Sequence, residues 1–181
     1  QERIWRYSIT PAQSADHTYH RCFRILGPLD RDLLRRSMES VARRHDTLRM
    51  SVATANGEPV QIIHSATGEM LRFVDLDGQP DAESKAMELC VRESARVFDL
   101  GEAPLYGFVL LRIRDGEHWL LRVMHHILFD AWSMRLYFRE LTLSYEAALR
   151  GESPPLPEVA PLQYGDYAAW QRRAVRPEMQ E

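Results

Sequence analysis

His125-His126-Ile127-Leu128-Phe129-Asp130-Ala131-Trp132-Ser133 is the stretch that decides how this chain is read. Two adjacent histidines close an apolar run, and Asp130 follows shortly after them. The run before them, Trp119 to Met124, is bulky, carries Arg122 as its one charge, and follows an Asp115-Gly116 turn signal. That pattern predicts the second strand of a hairpin. The residues from Ala131 to Leu149 predict a helix. The histidines therefore stand where a buried strand ends and the chain turns, which is where α/β folds gather ligands and chemistry.

Strand alternation separates the two histidines. Trp119, Leu121, Val123 and His125 share one face; Leu120, Arg122, Met124 and His126 share the other. His125 continues the more apolar set and reads as a packed, hydrogen-bonded core residue. His126, beside Arg122 and the adaptable Met124, is the candidate general base, because a neutral imidazole near physiological pH can take a proton and return it. A plainer reading stands beside this one: both histidines serve structure, and Asp130 caps the following helix. A metal site is the weakest reading. Adjacent strand histidines diverge, and the chain has neither a His-Glu-x-x-His helix nor a Cys-x-x-Cys pair.

Outward from this stretch, alternation from Tyr19 to Leu26 predicts a strand. Asp30 caps a helix to about His45, with Leu33, Leu34, Met38, Val41 and Ala42 on one stripe. Short strands follow near Leu48–Val52 and Val60–His64. The stretch Ser65–Gln79 is open, with Leu71–Val74 as a possible strand. Ala82–Val97 reads as a second amphipathic helix, and Leu105–Ile113 with Glu117–His125 as the hairpin. The long helix stops at Arg150-Gly151. Ser153-Pro154-Pro155-Leu156-Pro157 is an extended linker, and Asp166–Arg173 a last short helix. The expected class is α/β: a mixed sheet flanked by helices.

With 181 residues the chain can enclose one sizeable core, and 45% hydrophobic with 27% charged residues is ordinary for a globular domain. A net charge of -3 offers no basic footprint for nucleic acid. The apolar runs are too short to span a bilayer and no secretory signal opens the chain, so neither membrane nor nucleic acid is an expected partner. Cys22 and Cys90 form no disulfide framework; both are expected to be reduced, buried and inert, and the expected compartment is cytoplasmic.

Further motifs add specificity. Arg44-His45-Asp46-Thr47-Leu48-Arg49 ends a helix, Phe98-Asp99-Leu100 and Pro104-Leu105 precede the hairpin, and Tyr164-Gly165-Asp166-Tyr167-Ala168-Ala169-Trp170-Gln171 lies near the end. Together with HHxxxD, the opening Gln1-Glu2-Arg3-Ile4-Trp5 and Gly27-Pro28-Leu29-Asp30, they resemble in order and approximate spacing the motifs of nonribosomal peptide synthetase condensation domains. HHxxxD alone is shared with chloramphenicol acetyltransferases; the ordered set is more specific, and it spans essentially all 181 residues.

The resemblance implies that residues 1–181 form the N-terminal lobe of a two-lobed, chloramphenicol-acetyltransferase-like fold, with a C-terminal lobe completing a tunnel between them. It implies amide bond formation between a donor acyl or peptidyl thioester and the α-amine of an acceptor aminoacyl thioester. Both substrates ride on phosphopantetheine arms of carrier proteins, the lobe itself binds no cofactor or metal, and an adenylation domain is an expected neighbour. His126 matches the motif's second histidine, as base or as the group that orients the amine. Asp130 matches the motif aspartate, and the resemblance pairs it with Arg44; Arg49 is the alternative partner. Arg43 reads as a solvated charge at the helix end. Trp132 is expected to anchor the following helix in the core and Ser133 to help cap it. Tyr164, Tyr167 and Trp170 read as packing.

One departure from the family pattern is Ala131, where glycine usually stands. If the position requires positive φ, alanine strains the loop; if it requires clearance, the added methyl narrows the tunnel. Two other roles within the superfamily remain: an epimerisation domain, which abstracts an α-proton, and a non-catalytic docking platform. The lobe alone is expected to be inactive, because half of the tunnel would be missing.

Overall fold

The structure is a computed structural model that describes residues 1–65, 68, 70–157 and 159–174. Ala66, Thr67 and Glu69, inside the stretch that the sequence left open, lie outside the described residues. Elements follow in the order α1 (Glu2–Arg6), α2 (Pro11–Asp16), β1 (Thr18–Leu26), α3 (Arg31–Arg44), β2 (Met50–Ala55), β3 (Glu58–Ile63), β4 (Leu71–Asp75), α4 (Ala82–Ser94), β5 (Tyr106–Arg114), β6 (Glu117–His125), α5 (Ala131–Leu149) and α6 (Tyr164–Ala174). Single 3-10 turns occupy Asp46–Arg49 and His126–Leu128.

Four strands form one sheet in the order β1-β6-β5-β4; β4 runs parallel to β5 and the other pairings are antiparallel, so the sheet is mixed as expected. β2 and β3 form a separate hairpin, turned by Asn56 and Gly57, both at positive φ. Gly116, at φ +68, turns the β5–β6 hairpin, and the register slips between Arg112 and Arg114. Both edges of the sheet are thereby fixed relative to the central pair β5 and β6.

The alternation of side chains gives the sheet two distinct faces. On one, Cys22 lies opposite Leu121 and meets Cys90 of α4, Sγ to Sγ 3.9 Å. On the other, Phe23 packs on Phe138 of α5 and Phe108 stacks on Tyr137 of α5. The helices thus sandwich the sheet, α4 on one side and α5 with its neighbour α3 on the other. Asp30 caps α3 by accepting from the Leu33 amide at 2.9 Å, and α3 buries Leu34, Met38, Val41 and Ala42, the expected stripe save for half-buried Leu33. β5 and β6 are buried along both faces, and the near-zero exposure of Leu110, Leu111, Leu121 and Met124 marks the centre of the core. Each such side chain contributes about 1.5–3 kcal/mol of burial.

The cysteines depart in part from expectation: Cys90 is buried but Cys22 is exposed, because β1 is an edge strand covered on that face only by α4. Both are free thiols. Burial raises both thiols above their ordinary range, Cys90 to about 12, which keeps them poor nucleophiles. No helix among the described residues is long and apolar enough to cross a membrane.

Candidate functional site

The turn after β6 is built by its own residues. The His125 amide donates to Leu105 O at 2.9 Å, and its Nδ1 accepts from the Ile127 amide at 3.2 Å. That second bond starts the 3-10 turn, and the His126 amide donates to His17 O at 2.8 Å. Gln1 Nε2 closes the far side by donating to Ile127 O at 2.8 Å. Asp130 then opens α5, its Oδ1 accepting from the Ser133 amide at 2.7 Å and from Ser133 Oγ at 2.6 Å.

The two histidines part as strand alternation requires, although His126 has already left the strand. His125 is 0% exposed. Because its Nδ1 is an acceptor, the neutral ring carries its proton on Nε2, which is buried without a partner among the described residues. Burial pulls its pKa down to about 4, with His17 and His126 adding to the shift. It is a neutral core group. His126 is half-buried, its ring tilted against Tyr19 at 4.7 Å and edge-on to Phe129 at 5.0 Å. Its Nδ1 is shielded and unpartnered among the described residues, so Nε2 is the nitrogen left to meet a ligand.

His126 opens onto a cavity of about 530 Å³ whose walls include Gln1, His45, Phe129, Trp132, Met134 and Tyr164. A neighbouring depression of about 670 Å³ shares Gln1, Ile127 and Tyr164 with it. The volumes suit small organic groups. Among the described residues no cluster of His, Cys, Asp and Glu is arranged to hold a metal ion.

The pairing of Asp130 with Arg44 does not occur. Asp130 is exposed and serves as the helix cap, and its bonds to Ser133 hold its carboxyl below the usual range. Arg44 instead gives Nε to Glu140 Oε2 at 3.1 Å, on the buried side of α5, and Nη1 to Pro157 O. His45 Nε2 meets the same Glu140 oxygen at 2.6 Å. The physical reason is placement. Glu140 lies well along α5, facing the end of α3, and its side chain is only 5% exposed; a cap at the α5 N-terminus faces solvent. Arg49 is not the partner of Asp130 either, since it binds Asp46 Oδ1 at 2.6 Å together with two backbone carbonyls. Arg43 is exposed, as expected.

Trp132 is not a core anchor. It is 72% exposed in the first turn of α5, lies under Arg135, and walls the cavity. Ser133 caps as expected. Ala131 is the first residue of α5 and does not adopt positive φ, so alanine causes no backbone strain; the residue is exposed and is not one of the cavity's lining residues. Tyr164, Tyr167 and Trp170 form a ladder with 5.8 Å ring spacings along α6, exposed rather than packed in a core. That helix is laced to the end of α3. The Ala160 amide and Gln163 Nε2 both donate to Arg44 O, and Gln163 Oε1 accepts from the Asp46 amide.

Sequence reasoning missed Glu140, Tyr19 and Phe129. Glu140 carried a signal: it is an acid on the stripe that buries Tyr137, Leu141 and Ser144.

The chain matches the family described as condensation domain over residues 1–181. It is 36% identical over 181 residues to one component of the linear gramicidin synthase of Brevibacillus parabrevis, spanning 99% of this chain and 4% of that protein. It superposes with TM-score 0.82 and 25% identity on the first condensation domain of the calcium-dependent antibiotic synthetase in complex with a substrate analogue, covering 96% of this chain and 42% of that one. The X-domain in complex with OxyB from teicoplanin biosynthesis gives TM-score 0.83 at 27% identity, covering 98% of this chain and 38% of that one. The chain thus spans a small part of the synthetase it resembles and under half of each of these solved chains.

Proposed function

Because the chain belongs to the condensation-domain family of nonribosomal peptide synthetases, we propose that it supplies the histidine side of a site for peptide bond formation. The observation that carries this reading is the placement of His126: it lines the cavity with Nδ1 buried, leaving Nε2 as the nitrogen to meet a ligand, while Tyr19 and Phe129 hold the ring. The substrates are a donor acyl or peptidyl thioester and the α-amine of an acceptor aminoacyl thioester, each on the phosphopantetheine arm of a carrier protein. The amine attacks the thioester carbonyl and a C–N bond forms. His126 Nε2 holds or takes the amine proton, the C–S bond breaks, and the departing thiolate receives a proton from the imidazolium. A thioester is already activated, so placing the two reactants together supplies most of the acceleration and proton handling the remainder. A second lobe of the same domain completes the enclosure, and an adenylation domain loads the carriers. His125, Asp130 and the Arg44–Glu140 pair hold the turn and touch no substrate.

The test is His126→Ala in the full-length protein, followed by single-turnover peptide formation with both carriers loaded. The expected result is normal folding and a rate lowered by about 10²–10⁴-fold. An unchanged rate would refute the proton-handling role and favour a docking function for this lobe.

A further inference from the structure

Arg122 and Arg21 stand directly opposite each other across β6 and β1, like charges in one cross-strand pair. Such a pair is unfavourable unless an anion joins it. Among the described residues neither forms an ion pair. Arg122 is 7% exposed, its Nε is buried without a partner, and its Nη1 meets only the Met134 sulfur, a weak acceptor. Tyr137 Oη, close enough to influence Arg122 electrostatically, is likewise buried without a hydrogen bond among the described residues. His126 Nδ1 is a third such atom. Buried polar groups in folded proteins are almost always satisfied, so orphans contributed together by β6, the turn after it and α5 point to an occupant.

The position indicates which kind. Arg122 Cζ lies over the Phe129 ring at 5.2 Å, and that ring is 5.0 Å from the His126 imidazole. The guanidinium thus stands one aromatic ring away from the proposed reacting centre. Phe129, Met134 and Tyr137 separate it from the cavity, and Met134 is unbranched and adaptable. A carboxylate on a substrate side chain, a few bonds from the reacting carbonyl or amine, can reach it. The phosphate of a carrier arm, held a whole pantetheine away from that centre, cannot reach both at once.

We propose that Arg122, assisted by Arg21, is a specificity-determining residue that selects a substrate bearing a side-chain carboxylate. Resting on the condensation reading above, this assigns the acidic group to a donor or acceptor such as an aspartyl or glutamyl thioester. Two guanidinium groups match a carboxylate in charge and in donor geometry, and the amide isostere would leave their donors unpaired.

The experiment has two arms, both on the full-length protein. In the first, aspartyl and glutamyl thioesters compete with asparaginyl and glutaminyl thioesters, offered in turn as donor and as acceptor. The wild type should favour the acid by about 10- to 100-fold, the worth of one charge-assisted hydrogen bond. Arg122→Met should abolish the preference while keeping turnover of the amides, and Arg21→Met, at an exposed position, should weaken it. In the second arm, phenylglyoxal labelling of Arg21 is read by mass spectrometry with glutarate, glutaramide or inorganic phosphate present. Glutarate alone should protect, and only with Arg122 in place. Equal use of acid and amide by the wild type, an acid preference that survives Arg122→Met, or protection by phosphate rather than glutarate each overturns the proposal. Glutarate protection without any turnover would instead sink the condensation reading and leave the carboxylate site standing.

Discussion

Glu140→Ala should destabilise the fold far more than Asp130→Ala. Glu140 is the buried end of a three-member cluster in which its side chain is 5% exposed, Arg44 12% and His45 20%. Among the described residues, truncating it leaves the Arg44 guanidinium only the Pro157 carbonyl as acceptor. Removing one partner of a buried pair costs about 3–5 kcal/mol. Asp130 is an exposed N-cap, and its loss costs about 1 kcal/mol. Equilibrium urea unfolding at pH 7, followed by tryptophan fluorescence, reads both from the shift in midpoint at constant slope. The paired replacement Arg44→Met with Glu140→Leu should recover most of the loss, since an apolar pair leaves no charge stranded. Equal costs for Asp130→Ala and Glu140→Ala, or an Asp130→Ala cost above that of Glu140→Ala, would refute the assignment of Glu140 as the partner of Arg44.

His125 makes stability depend on pH. Its folded pKa, near 4, lies below the ordinary 6.5, so between those values the unfolded chain binds the proton and the folded chain does not. Stability therefore falls as the pH drops from about 6.5 to about 4, by about 3 kcal/mol in total; His125→Phe should flatten that part of a urea-midpoint profile, and an unchanged profile would count against a neutral buried imidazole. Trp132→Ala should change stability by less than about 0.5 kcal/mol because the ring is already in solvent, and a large loss on thermal melting would return Trp132 to the core.

The sheet and the long helices were legible because their signals are periodic. β6, α3 and α5 fall within a residue or two of expectation, with Asp30 and Gly151 marking the start of α3 and the stop of α5. The separation of the histidines followed alternation in direction, although the 3-10 turn that takes His126 out of the strand was not foreseen. Short elements carry too few residues for a period, so α1 and α2 went unseen. Yet Thr10-Pro11 with Gln13 spells a capping box with proline in the first turn, and the structure forms it. The Arg44 pairing was misplaced because a motif says which residues recur but not which way a helix presents them. Asp130 opens α5 where solvent is near, and the buried carboxylate sits farther along the same helix. Trp132 misled for a related reason: a large aromatic signals burial, but its fate depends on which neighbour covers the first turn.

The lacing of α6 to Arg44 has a consequence for when the cavity exists. The bonds from Pro157, Ala160 and Gln163 to Arg44 and Asp46 join residues separated by more than a hundred positions, with Arg44 to Pro157 spanning 113 and Arg44 to Gln163 spanning 119. Closing so long a loop has an entropic cost that local contacts do not share. Tyr164 and Tyr167, which wall the cavity, are therefore fastened by contacts of very long range. The pocket around His126 is a property of the completed topology: a partly folded chain can hold the β5–β6 hairpin and its histidines and still have no enclosure in front of them.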